Sequence, residues 1–440
     1  MRFEEGNSTR SRLIDYTNHS SSEPLSNGTL NNLQPADEHP FRSHGNKQQH
    51  APISRSHASA TSPAKPNFSD TDTSSICFRN ICVIGGGAWG TALALTAERA
   101  GCQVTLWARE EHVVRQVNES RVNPFLPNVS LPEGITVTND MQRAVSDADC
   151  VIFVVPSQFL RPTARQCEAL LRPGVPVVIC SKGIEAKTGN LMTRVVADEM
   201  PGRPQAILSG PSFAREVALG QPTAVTVAVE CNSARELLQP RNLATRIALS
   251  LTTRTFRPYV SDDPVGVEVG GAVKNVIAIA CGMAAGRGLG SNPRAALITR
   301  GLAEINRLAL ALGGRSETVS GLSGIGDLTL TCSDEQSRNF AFGKNLAAGT
   351  LTMNSDDAAA PVVEGAWNAR SVIDLARQLD VEMPICEMVN AVVHLNVPLD
   401  QAMEDLLTRP IRAEVRSVES LVRIPHPAAQ EIAEEIAVRC

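Results

Sequence analysis

An α/β domain built on a parallel sheet, followed by an all-α domain, is the fold class that this 440-residue sequence predicts. Three observations carry the expectation. A strand, a glycine turn, a helix and a second strand follow one another between residues 76 and 107. Two continuous apolar runs, 150–156 and 175–180, have the uninterrupted character of strands covered on both faces of a parallel sheet. After Asp262, Asp263 and Pro264 the strand patterns stop, and apolar residues recur at helical spacing.

Composition removes several function classes. A net charge of −5 favours neither nucleic acid nor an anionic membrane surface. No uninterrupted apolar run reaches the roughly 18 residues of a membrane span, and the N-terminus lacks the apolar core of a secretory signal. The eleven cysteines form no Cys-x-x-Cys pair, and Cys82, Cys180 and Cys281 sit in apolar runs where a thiol behaves as a small hydrophobe. A reducing, cytoplasmic setting follows, with no metal expected. Five of the eight histidines (His19, His39, His44, His50 and His57) fall in the N-terminal segment. Only His112, His394 and His426 remain, too few for histidine-based hydrolytic or metal chemistry.

In chain order, residues 1–76 are Ser-rich without a sustained period and are expected to be a disordered tail. The β-rich run 76–84 leads into Gly85, Gly86, Gly87, Ala88, Trp89 and Gly90, then into a helix-forming run at 91–100. Gly101 closes that helix, and residues 103–107 read as the next strand. Glycines at 85, 87 and 90 in this context match the G-x-G-x-x-G turn of a Rossmann-type dinucleotide site. Gly85 allows the tight turn, Gly87 lets backbone N–H groups approach a pyrophosphate, and Gly90 lets helix and strand pack closely. The second strand ends on Trp107, Ala108 and Arg109. Arg109 would welcome the 2′-phosphate of NADP, while Glu110 and Glu111 keep NAD open.

Residues 121–128 read as a Pro-broken loop before the strand at 150–156. The strand at 175–180 ends on Ser181, Lys182 and Gly183, and the next on Ser209, Gly210, Pro211 and Ser212. Ligands bind open α/β sheets beyond such strand ends, so Lys182 and the 209–212 turn are candidate ligand contacts. Strands near 223–229 and 252–259 complete the sheet. The expected division is a tail at 1–76, a Rossmann-type NAD(P)-binding domain at 77–262, a helical substrate and catalytic domain at 263–423, and a peripheral segment at 424–440.

The helical domain opens with a run whose large apolar residues fall at Val269, Val273, Val276, Ile277 and Met283, with Lys274 among them. A lysine there either snorkels to the surface or is buried. Burial would lower its pKa and make it a usable general acid or base. A glycine-rich loop then delivers Asp327, which reads either as a helix N-cap or as the partner of a lysine. Ser337, Arg338 and Asn339 follow, and the arginine suits bidentate phosphate recognition.

Taken together, the motifs at 85–92, 181–185, 209–214, 270–275, 324–327 and 336–339 resemble those of the bacterial-type NAD(P)-dependent glycerol-3-phosphate dehydrogenases. The resemblance covers about residues 79–410. It implies reversible reduction of dihydroxyacetone phosphate to sn-glycerol 3-phosphate with NADP or NAD, feeding glycerophospholipid synthesis. By position it makes Lys274 the proton donor/acceptor at the C2 oxygen. Lys182, Gly210, Ser212, Asp327, Ser337, Arg338 and Asn339 would be the other substrate contacts. Gly85, Gly87, Trp89, Gly90, Arg109, Lys182, Ala214, Arg338, Val362 and Glu364 would be cofactor contacts. The partner is then a small molecule rather than nucleic acid or membrane; the oligomeric state stays open, a homodimer included.

Overall fold

The computed structural model describes residues 76–350 and 363–409. The expected tail, the 424–440 segment and Val362 lie outside the described residues.

Eight strands form one sheet in the order β3-β2-β1-β4-β5-β6-β7-β8. They are β1 (Asn80–Ile84), β2 (Gln103–Trp107), β3 (Ile135–Thr138), β4 (Cys150–Phe153), β5 (Val177–Ile179), β6 (Gln205–Ser209), β7 (Thr223–Ala228) and β8 (Phe256–Ser261). All neighbours pair in parallel except β6 with β7. Alternation along β1 shows how both faces are used. Ile81 and Val83 join one apolar cluster with the helix Ala88–Arg99 (α1), while Cys82 and Ile84 join a second on the opposite face with Leu160, Val195 and Val196. That three-layer arrangement is why the strands read as continuous apolar runs. Strand order reverses between β1 and β4, so the connections that leave their carboxyl ends run to opposite sides, the place where open α/β sheets form a ligand crevice.

The structure adjusts three strand expectations. Strand β3 escaped the sequence reading because four residues, Ile135–Thr138, follow directly on a Pro-broken loop and leave little periodicity to detect. The run at 76–84 is strand only from Asn80, and the last strand begins at Phe256 rather than at 252, where Thr252 instead ends a helix.

Beyond Pro264 the described residues contain helices and turns only. The central one, α2 (Pro264–Gly286), starts with Pro at its first turn, and Asp263 caps it by accepting from the Gly266 N–H at 2.8 Å. Around it stand α3 (Ser291–Ala311), α4 (Asp327–Ser333), α5 (Arg338–Ala347), α6 (Glu364–Gln378) and α7 (Pro384–His394). Helix α2 is long and apolar enough to cross a membrane by length and composition, yet 89% of its most apolar window is buried inside the fold. Its apolar surface is covered by neighbouring helices. Contact with α5 is backbone to backbone: a Cβ at Gly343 would lie 2.1 Å from the Ile279 carbonyl oxygen, so only glycine allows this approach. Glu268 of α2 reaches out of the helical layer and accepts from the Thr193 N–H at 2.8 Å and hydroxyl at 2.7 Å, tying α2 to the helix Met192–Glu199. Burial pushes the Glu268 carboxyl up to about 7.

Candidate active site

Three chain segments converge on one carboxylate. Asp327 is buried at 1% exposure and opens α4. It is the first helical residue rather than the cap, a position held by Gly326 without any side-chain hydrogen bond. The N-cap reading therefore falls, and the carboxylate is spent on the two lysines. Lys274 Nζ donates to Oδ1 and Lys182 Nζ to Oδ2, each at 2.6 Å.

Lys274 does not snorkel. It is 6% exposed, midway along α2, and Nζ also donates to Thr331 Oγ1 at 2.7 Å. Thr331 is one turn beyond Asp327 and its hydroxyl donates to the Asp327 carbonyl at 2.6 Å, which turns its lone pairs to the lysine. Burial lowers the Lys274 pKa to about 8; Asp327 opposes that fall and the Lys182 charge adds to it. Burial alone would raise the Asp327 carboxyl, but the two ammoniums outweigh it and hold Asp327 below the usual carboxylate range. Lys182 also donates to the Gly210 carbonyl at 3.4 Å. An ammonium carries three N–H donors, so each lysine keeps one for a substrate oxygen.

The strand ends shape the other wall. Gly210 has φ +150, and a Cβ there would lie 2.9 Å from the Val225 Cα, so the turn that presents its carbonyl needs glycine. Ser212 donates to the same carbonyl at 3.1 Å. Ala214 opens the short helix Ala214–Ala218, whose Glu216 accepts from Gln336 Nε2 at 3.2 Å and so joins this wall to the 337–339 segment. Ser337 is the buried N-cap of α5 and accepts from the Phe340 N–H at 3.3 Å. Arg338 is exposed at the helix N-terminus, where free N–H groups and a cation together favour an anion. Asn339 donates to Asn275 Oδ1 at 3.0 Å and accepts from the Gly365 N–H at 2.9 Å. Beside it, Glu364 has its carboxyl raised by burial, against the pull of Arg338, Lys182, Lys274 and the Ser157 N–H.

Gly85, Gly87, Trp89, Gly90 and Arg109, five of the cofactor candidates, follow the carboxyl ends of β1 and β2. Gly85 has φ +130, and a Cβ there would lie 2.5 Å from the Val154 carbonyl oxygen. At Gly90 a Cβ would lie 1.9 Å from the Gly85 carbonyl oxygen, whereas at Gly87 it would meet no protein atom within 4 Å. Gly87 is the N-cap of α1 and is exposed, and no side chain caps its helix. Open space before a 12-residue helix with uncapped N–H groups is what a pyrophosphate requires, so these residues fit a dinucleotide. Trp89 is partly covered. Arg109 is 70% exposed, pairs with Glu110 at 2.8 Å, and stands 5.9 Å from the centroid of the Phe159 ring. It is thus an exposed cation already paired with a carboxylate rather than a preformed phosphate clamp. Among the described residues no group of three or more His, Cys, Asp or Glu is gathered as for a metal ion.

Sequence reasoning missed Thr331 and Asn275. Only Thr331 carried a signal, its spacing of four from Asp327 on one helix face.

Comparison with known proteins agrees with this geometry. Residues 80–235 match the family model described as NAD-dependent glycerol-3-phosphate dehydrogenase N-terminus, and residues 263–404 match its C-terminus counterpart. The chain is 49% identical over 352 residues to a glycerol-3-phosphate dehydrogenase (NAD(P)+) of Rhodospirillum rubrum, covering 80% of this chain and 97% of that one. It is 47% identical to the same-named protein of Caulobacter vibrioides, covering 77% of this chain and 99% of the relative. A crystal structure of glycerol-3-phosphate dehydrogenase from Coxiella burnetii superposes with a TM-score of 0.70 at 38% identity, covering 75% of this chain and 99% of that one. The chain belongs to the NAD(P)-dependent glycerol-3-phosphate dehydrogenases, a family of oxidoreductases.

Proposed function

We propose that the protein reduces dihydroxyacetone phosphate reversibly to sn-glycerol 3-phosphate, with Lys274 moving the proton on the C2 oxygen. The observation that carries this reading is the single buried carboxylate shared by two lysines, each with one N–H to spare.

When bound, the nicotinamide cofactor supplies the hydride equivalent; the chain's own residues do the rest. Negative charge grows on the C2 oxygen as the ketone is reduced. Two ammoniums around one carboxylate leave a net positive charge to receive it, already oriented and shielded from water. Lys274 protonates that oxygen, and its pKa near 8 makes it a workable acid in one direction and base in the other. Asp327 holds both ammoniums in place and opposes the loss of charge that burial imposes on Lys274. Arg338 and the start of α5 hold the phosphate, which sets C2 against the lysines by proximity. Gly210, Ser212, Ser337 and Asn339 are assigned to the substrate. Gly85, Gly87, Trp89, Gly90, Arg109, Ala214, Glu364 and Val362 are assigned to the cofactor. On this reading residues 77–262 bind the cofactor and 263–423 the substrate, in a cytoplasmic enzyme that feeds glycerophospholipid synthesis.

The test is NADPH or NADH oxidation with dihydroxyacetone phosphate, compared with a 2-oxo acid lacking a phosphate. Turnover of the phosphate substrate alone is expected. Turnover of the oxo acid with none of the phosphate substrate would overturn the assignment.

A further inference from the structure

Asn368 of α6 is fully buried, and its side-chain amide touches the backbone of both lysine-bearing segments. Nδ2 donates to the Lys182 carbonyl at 3.1 Å and, at the limit of a hydrogen bond, to the Ala272 carbonyl at 3.5 Å. Lys182 lies in the turn that leaves β5, and Ala272 lies two residues before Lys274 in α2. The peptide that follows Lys182 is confined as well. A Cβ at Gly183 would fall 2.8 Å from Asn368 Oδ1 and 2.3 Å from Ser157 Oγ. The backbone that launches Lys182 therefore has little room to shift.

Lys182 has particular need of such an anchor. Its ammonium is fixed at one end by Asp327 and the Gly210 carbonyl. A four-carbon stem has many rotamers, however, so those contacts do not fix where the stem begins. A primary amide offers two N–H donors on one nitrogen, which matches two carbonyls from different segments. A carboxylate or an apolar group of the same size could not make either bond.

We propose that Asn368 is a positioning residue for the reaction. By donating to the Lys182 and Ala272 carbonyls it fixes the separation of Lys182 from α2, so that both ammoniums meet the substrate oxygen together. The inference rests on the roles given above to Lys182 and Lys274.

Its test is the steady-state reduction of dihydroxyacetone phosphate by wild type, Lys182→Ala, Asn368→Ala, Asn368→Asp and the double variant Lys182→Ala with Asn368→Ala. Thermal unfolding of each is followed alongside. Misplacement of a reacting group by a fraction of an ångström is expected to lower kcat of Asn368→Ala about ten-fold, with the KM for NADPH within about two-fold. Asn368→Asp keeps the shape but removes the donor, and loses at least as much. In the double variant the Asn368 change adds nothing to the Lys182→Ala loss, because the group it positions is gone. A wild-type kcat in Asn368→Asp, or an Asn368→Ala loss that recurs in full without Lys182, would overturn the proposal. Wild-type turnover by Lys182→Ala would instead bring down the reading of the site on which it stands.

Discussion

The glycine turn at 85–90 and the carboxylate centre at Asp327 both have a part in the proposed chemistry, yet they are built on opposite plans. The turn is one contiguous stretch whose geometry is dictated by backbone sterics. Gly85 and Gly90 are forced by atoms of the protein itself, while Gly87 faces open space. The centre is assembled from residues 182, 274 and 327, and its geometry is dictated by charge in a buried setting. Local sterics can be substituted one residue at a time with graded effects. A shared buried charge cannot.

The largest expected effect follows from that difference. Asp327→Ala leaves the buried Lys274 ammonium and the half-buried Lys182 ammonium without their counter-charge, and losing one partner of a buried pair costs about 3–5 kcal/mol. The denaturation midpoint is expected to fall accordingly and activity to be lost; a variant as stable as wild type would show that the lysines do not depend on this carboxylate. Within the turn the two glycines should part company. Gly90→Ala drives a methyl into the Gly85 carbonyl and is expected to cost about 1–3 kcal/mol of stability, the scale of overpacking. Gly87→Ala places its Cβ where no protein atom lies within 4 Å, so its unfolding midpoint should hold. Its KM for NADPH should rise on the order of ten-fold, as expected when a hydrogen bond to a charged group is lost. Equal destabilisation by both would show that Gly87 is a structural position after all.

The centre also has a pH signature. Lys274 must carry a proton to act as an acid, and its pKa sits near 8. Hence kcat/KM for ketone reduction should fall as pH rises through about 8, and that for alcohol oxidation should rise over the same interval. A flat profile from pH 7 to 9 would contradict the assignment. The smallest effect is expected at Arg109, exposed and already paired with Glu110. Arg109→Asp should shift the NADPH to NADH preference by roughly five-fold, the worth of about 1 kcal/mol at a solvated ion pair. No shift would remove Arg109 from cofactor choice.

The same contrast explains what was legible in the sequence. The turn announced itself because strand, glycines and helix adjoin in the chain, and because its steric demands are met by residue types. The site lysines and Asp327 could be named singly, but nothing in the sequence of α2 distinguished a buried Lys274 from one reaching solvent. Asp327 resolved that only in three dimensions, by proving to be the partner of both lysines instead of a helix cap. Thr331 was within reach of spacing arguments. Asn368 was not, since its partners lie 186 and 96 residues away and an asparagine within a helix has no sequence signature. Strand β3 was lost for a different reason: four residues are too few for alternation to stand out from the loop that precedes them.

Whether the buried lysine on α2 moves the substrate's proton is read from the kcat of dihydroxyacetone phosphate reduction in Lys274→Ala at saturating NADPH, beside wild type. Loss of a general acid predicts a fall of at least about 100-fold. A rate within a few-fold of wild type would show that the proton travels by another route.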